Sequence, residues 1–256
     1  MKANTIIINY HSIADRANVN GHVDPIYSID AERFEAHLKV IQESGREVVT
    51  LEQLENGLTP NKEYICLTFD DGHTSDMITV FPLLEKYEMK ASFFVSLLNC
   101  NENDKRWEAY KEFAAQGHCI GAHSIAHNYL TSLSPIKQRT DLKICKSIIE
   151  NKIGQKVNFY ALPGGKFSLA TVEIAKEEGY SGLLTTQFGM TNSDALPYLL
   201  NRYNVKRKTS LAEFKAIIKG DEQTLRNFTR SAKVKASISK VMGDKLTDRV
   251  NYLIHS

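Results

Sequence analysis

Residues 64–73 read Tyr64-Ile65-Cys66-Leu67-Thr68-Phe69-Asp70-Asp71-Gly72-His73. A β-branched and aromatic run ends there in two adjacent carboxylates and a glycine, the pattern of a buried strand opening into a functional loop. Neighbouring strand residues point to opposite faces, so the two aspartates are expected to do different work, one binding a metal and the other taking a proton. The plainer reading is an Asp-Asp-Gly turn, because Asp and Gly suit positive φ and turn hydrogen bonding.

Working outward, residues 117–127 read Gly117-His118-Cys119-Ile120-Gly121-Ala122-His123-Ser124-Ile125-Ala126-His127. A helical turn beginning near Ala122 would aim His123 and His127 the same way, a common means of presenting two imidazoles to one ion. Histidines at this spacing also occur on helix surfaces and as satisfied core residues. Joined by one aspartate, the pair makes a three-ligand site. Three protein ligands leave a coordination position for water or substrate, which a hydrolytic metal site requires. Zinc suits two imidazoles and a carboxylate, and cobalt, nickel or manganese can take the same ligands.

Thr68-Phe69-Asp70-Asp71-Gly72 followed by His123-Ser124-Ile125-Ala126-His127 resembles the first two motifs of the polysaccharide deacetylases, carbohydrate esterases that remove N-acetyl or O-acetyl groups from sugars. Tyr10-His11-Ser12-Ile13, Pro82-Leu83-Leu84-Glu85-Lys86-Tyr87 and Ala91-Ser92-Phe93-Phe94-Val95 resemble that family's framework, so the likeness covers roughly residues 5–215. It implies an α/β fold, an irregular (β/α)7-type barrel, with a carbohydrate as substrate. Residue by residue, it implies Asp70 as general base and Asp71, His123 and His127 as ligands to one divalent ion. A backbone N–H just after Pro163, that of Gly164, is the implied oxyanion donor.

The third motif departs from the family pattern. Asn158-Phe159-Tyr160-Ala161-Leu162-Pro163-Gly164-Gly165 carries Ala161 where an arginine that orients the base is often found. Pro163-Gly164-Gly165 is in any case a turn after a strand. The late histidine that serves many members as general acid is also missing, since no histidine lies between His127 and His255. His11, at the end of the first strand, stands in as candidate acid or substrate contact, and His73 is the other substitute. Arg202, in Asn201-Arg202-Tyr203-Asn204-Val205, is a candidate to contact substrate or a site carboxylate, against the alternative of an exposed arginine.

With 256 residues and 42% hydrophobic content, the chain is long enough for one sizeable domain, expected over residues 1–220. A net charge of +2 makes no case for nucleic-acid binding. Cys66, Cys100, Cys119 and Cys145 show no Cys-x-x-Cys spacing, and no disulfide framework is expected. The first ten residues have too short an apolar run for a signal peptide or membrane span, which with reduced cysteines favours the cytoplasm.

Strand-then-helix units alternate along the chain, the signature of an α/β barrel or open α/β sheet. Residues 14–29 read as a polar loop, and residues 30–44 as a helix capped by Asp30 with Phe34, Leu38 and Ile41 on one face. A helix over residues 74–87 should be kinked or divided by Pro82, and Ser134-Pro135 should open a long helix to about residue 152. The segment 221–256 is a basic helical extension, with Val234, Ile238 and Val241 at helical spacing. Such a helix can dock on the barrel or make peripheral contact with an anionic membrane. The expected activity is metal-dependent N-deacetylation of an amino sugar. The alternatives are a catalytically weakened carbohydrate-binding protein, and a deacylase for an O-acetyl ester or a formamide.

Overall fold

The computed structural model describes residues 4–13, 24–57, 59, 61–101, 104–189, 191–192 and 198–220. The basic extension expected over residues 221–256 and most of the polar loop expected over residues 14–29 lie outside them. The first half of the chain forms β1 (Asn4–Tyr10), α1 (Ala31–Glu43), β2 (Glu47–Val48), α2 (Leu51–Glu55), β3 (Glu63–Phe69), α3 (Phe81–Lys86), β4 (Ser92–Val95), α4 (Arg106–Ala115) and β5 (Cys119–Ala122). The second half forms α5 (Pro135–Ile153), β6 (Phe159–Ala161), α6 (Leu169–Glu177), β7 (Gly182–Leu184), β8 (Thr191–Asn192), β9 (Leu199–Leu200), β10 (Tyr203–Asn204) and α7 (Leu211–Ile218).

Helix ends follow local chemistry. Asp30 Oδ1 accepts from the Arg33 N–H at 2.7 Å to start α1. Ser134 caps α5 with Pro135 in its first turn, and Gly154 ends it in the left-handed conformation. The helix expected over residues 74–87 is divided: a π-helical turn, Asp76–Val80, leads into α3, where Pro82 sits in the first turn. Proline has no N–H to offer an earlier carbonyl, so it is tolerated at the start of a helix and disrupts an interior.

The strands lie in the order β10-β1-β3-β4-β5-β6-β7-β9, with β2 beside β3 and β8 beside β1. Every pair is parallel except β8 with β1. Strands β9 and β10 occupy opposite ends of that order, although only Asn201 and Arg202 separate them in the chain. The chain therefore bridges the seam of a curled sheet, giving the irregular (β/α)7-type barrel that the sequence led us to expect.

Strand alternation sorts the core into two layers. Ile6, Ile8 and Tyr10 of β1, Leu67 and Phe69 of β3, and Phe93 and Val95 of β4 pack under the helices. Ile7, Cys66, Phe94, Phe159, Ala161, Leu184 and Leu200 form the separate interior cluster, joined by Leu51 and Leu54 of α2. The Leu51 N–H donates to Ser92 Oγ at the first residue of β4, so α2 plugs the barrel at the amino ends of its strands. The opposite, carboxyl ends are left to the functional loops. All four cysteines are buried and free. No helix among the described residues is long and apolar enough to cross a membrane.

Gly121 shows how tightly the interior is filled. A Cβ there would lie 2.4 Å from Phe94 Cε1 and 3.0 Å from the Phe159 carbonyl oxygen, and a strand backbone cannot retreat. Gly121→Ala is expected to destabilise the protein by about 1–3 kcal/mol, the usual range for overpacking, read as a lower urea midpoint. An unchanged midpoint would show that the interior gives way.

Candidate active site

Alternation along β1 and β3 places Asn9, Thr68 and Asp70 on the interior side, in register with Ile7 and Cys66 below them. Asp70 is buried, and its backbone N–H donates to the Tyr10 carbonyl at 3.0 Å. Arg202, 1% exposed, enters from the seam and grips the carboxylate with both arms: Nη1 to Oδ1 and Nη2 to Oδ2, each at 2.8 Å. Asn9 Nδ2 donates to Asp70 Oδ2 at 3.0 Å, and Arg202 Nε donates to the Thr185 carbonyl at 3.1 Å. Thr68 Oγ1 and Arg202 Nη1 both donate to Asn9 Oδ1 at 2.9 Å, locking that amide. Burial pushes the Asp70 carboxyl up, but the Arg202 charge outweighs it and the group is held at about 2.

Arg202 is thus neither an exposed arginine nor a substrate or oxyanion contact. Both of its terminal nitrogens are committed to Asp70, and its guanidinium stacks 5.7 Å from the Phe94 ring centroid. It reaches Asp70, the residue that the resemblance would pair with an arginine at position 161. Ala161 instead contributes its carbonyl to the site.

Asp71 leaves the strand at φ +76°, a left-handed conformation available to aspartate in turns. The turn is pinned from the β4–α4 side, where Asn99 Nδ2 donates to the Asp71 carbonyl at 3.1 Å and Arg106 Nη1 to the Gly72 carbonyl at 2.8 Å. Asp71 Oδ1 lies 3.2 Å from His123 Nε2 and 3.3 Å from His127 Nε2. Its other oxygen, Oδ2, faces His73 Nε2 at 3.3 Å.

The helical turn expected at Ala122 is not formed. Strand β5 ends at Ala122, and left-handed backbone at Ser124 (φ +69°) and His127 (φ +53°) brings the two imidazoles together, with ring centroids 5.0 Å apart. His123 Nδ1 lies 2.8 Å from the Ala161 carbonyl, which can only accept, so Nδ1 carries the proton and Nε2 keeps its lone pair toward Asp71.

Ligand atoms of Asp71, His123 and His127 all lie within 4.8 Å of one another. Asp71 Oδ1 is buried and has no hydrogen-bond partner among the described residues. Burial pushes the Asp71 carboxyl up, yet contacts with His123, His127 and His73 bring it well below the usual carboxylate range. An orphaned anionic oxygen between two imidazole nitrogens fits a divalent cation.

The remaining candidates separate clearly. His73 is 1% exposed and tucked behind Asp71, which removes it as an acid acting on substrate. His11 is half-buried, stacked on Tyr27 at 4.6 Å, with Nδ1 buried and unpartnered among the described residues. Burial lowers the His11 pKa, against the opposing pull of Asp71 and Asp70. Pro163 and Gly164 begin a 3-10 turn, Pro163–Gly165, in which Pro163 has no N–H, the Gly165 N–H donates to the Leu162 carbonyl at 2.7 Å, and the Gly164 N–H has no acceptor within the turn. Gly164 has φ +61°, and a Cβ there would lie 2.6 Å from Tyr129 Cε1. Asn9, Thr68 and Asn99 are site residues that the sequence reading missed. Asn9 carried a signal, as the polar residue that interrupts the apolar run Ile6-Ile7-Ile8 before Tyr10.

Residues 57–183 match the family model described as polysaccharide deacetylase. The chain belongs to that family. YxkH of Bacillus subtilis is 29% identical to it over 217 residues, which span 83% of this chain and 75% of that protein. A peptidoglycan-N-acetylglucosamine deacetylase of Bacillus cereus is 31% identical over 125 residues, 48% of this chain and 57% of the relative. The Streptococcus pyogenes deacetylase PplD, solved in complex with acetate, is similar with a TM-score of 0.70 and 25% identity, over 82% of this chain and 96% of that one.

In this chain the Asp70–Arg202 pair should contribute to acid sensitivity. The folded-state value of about 2 lies below the ordinary 3.8, so the contribution of Asp70 to stability is present above about pH 4 and lost as the pH falls through 2. Arg202→Met, which leaves a buried carboxylate unpaired, should cost about 3–5 kcal/mol near neutral pH. In urea unfolding of chelator-treated protein, variant and wild type should converge toward pH 2. Equal stability at pH 7 would contradict the pairing.

Proposed function

We propose that the protein is a metal-dependent hydrolase that removes N-acetyl groups from an amino sugar in a glycan or glycan precursor. The observation that carries this is the division of the two aspartates. Asp71 presents an orphaned oxygen to two imidazole nitrogens, while Asp70 stands apart, ionised and held by Arg202 and Asn9. The relatives support the acyl group and the substrate class: one is named for peptidoglycan N-acetylglucosamine, and another was solved with acetate.

Asp71 through Oδ1, with His123 and His127 through Nε2, would hold one divalent ion, and zinc best suits that donor set. Such an ion supplies Lewis acidity toward water and the acyl oxygen. In this reading Asp70 acts as general base. Its carboxylate keeps lone pairs beyond those engaged by Arg202 and Asn9, and it takes the proton of the attacking water. The Gly164 N–H, at the start of its turn, stabilises the oxyanion that forms at the acyl carbon. His11 lies in the field of both carboxylates and delivers a proton to the departing nitrogen.

The reading as a weakened binding protein drew on Ala161 and on the missing late histidine. Arg202 reaches Asp70 from the segment between β9 and β10, and the first of these features loses its weight.

The test is acetate release from a panel of N-acetylated amino sugars and oligosaccharides by zinc-loaded protein. Asp70→Asn should retain the metal and lose activity by about 10²–10⁴-fold, the usual worth of general base catalysis. His11→Gln should slow N-acetyl substrates more than an activated acetate ester, whose leaving group departs without a proton. No acetate from the panel, or an Asp70→Asn variant as fast as wild type, would overturn the proposal.

A further inference from the structure

The left-handed turn that joins the two histidines is held by a residue outside the site. Asp141, on the buried face of α5, is 5% exposed. Its Oδ2 accepts from Ser124 Oγ at 2.9 Å and from the Ile125 N–H at 3.2 Å, and its Oδ1 accepts from the Tyr160 hydroxyl at 2.8 Å. The Ser124 carbonyl is gripped from the opposite side by the Leu97 N–H at 3.1 Å and Ser96 Oγ at 3.3 Å. Ser124 itself is fully buried at φ +69°. A non-glycine residue disfavours that conformation and keeps it only where its surroundings over-determine it. The carboxylate of Asp141 is the charged member of those surroundings, and charge-assisted hydrogen bonds are the strong ones.

We propose that Asp141 is a positioning residue of the metal site: it fixes the Ser124–Ile125 turn in the one conformation that points His123 and His127 at a common ion. This rests on the metal-binding reading above. A tie that merely fastens α5 to the barrel would act equally through Tyr160 on β6, whereas a positioning role acts through the two bonds to the loop. The two oxygens of Asp141 serve these partners separately, so the roles can be told apart.

The experiment is titration of chelator-treated full-length protein with Co²⁺, followed by the visible spectrum and by competition with a chelator, alongside the thermal midpoint. Asp141→Ala and Ser124→Ala should weaken Co²⁺ binding by about 10–100-fold, the usual effect of removing a partner that orients a ligand, and should alter the Co²⁺ spectrum. Asp141→Asn should restore binding, because its amide oxygen can accept both loop bonds while its NH₂ group donates to the Tyr160 hydroxyl oxygen. Tyr160→Phe should lower the thermal midpoint and leave Co²⁺ affinity unchanged. Should Asp141→Ala fail to fold, Ser124→Ala with Asp141→Asn carries the same test. Wild-type affinity in Ser124→Ala, or an equal loss in Tyr160→Phe, would overturn the positioning role alone. Wild-type protein that binds no Co²⁺ would overturn this inference together with the metal-binding reading.

Discussion

A carboxylate sealed inside a barrel must be paired, and the Asp70–Arg202 pair is the constraint around which this molecule is arranged. The two residues lie 132 positions apart and are brought together only when the sheet has curled far enough for its seam to be bridged. The bridging segment is Asn201-Arg202 itself, so completing the barrel and pairing the Asp70 carboxylate are one event. Asn9, Thr68 and the Thr185 carbonyl take up the donors and acceptors that remain. Stability and chemistry thus share the same hydrogen bonds.

From that pair follows the separation of roles between adjacent aspartates. Asp70 continues the interior face of β3 and is paired with an arginine. Asp71 turns out of the strand at positive φ and meets the imidazoles of a different loop. Two neighbouring carboxylates in one environment would oppose each other's ionisation. Here Asp70 is gripped by the Arg202 guanidinium and Asp71 faces the imidazoles of His123, His127 and His73, and both are held below the ordinary carboxylate range.

Much of this was legible in the chain because it is local. The caps at Asp30 and Ser134, the division at Pro82 and the strand ending in Asp70 follow from short-range pattern, whereas the grouping of Asp71 with His123 and His127 came from the family resemblance. The path by which the histidines meet was not legible. Their spacing fits a helical turn as well as it fits the loop that forms, and only the contacts of Ser124 with α5 and β4 select the loop. Arg202 was legible as a candidate contact to substrate or to a site carboxylate, and it meets the second, but the choice was not legible, since nothing near it in sequence tells an arginine that faces water from one that faces a carboxylate across the barrel. The arginine pattern of the third motif pointed to position 161, whereas the charge arrives from the seam.

The central claim is that one ion is held by Asp71, His123 and His127 while Asp70 stays outside its coordination. Anomalous diffraction at the zinc edge, from crystals grown with Zn²⁺, tests it most directly. The account predicts a single strong peak within bonding distance of Asp71 Oδ1, His123 Nε2 and His127 Nε2, with the Asp70 carboxylate still on Arg202. A peak ligated by Asp70, or none at the triad, would contradict it.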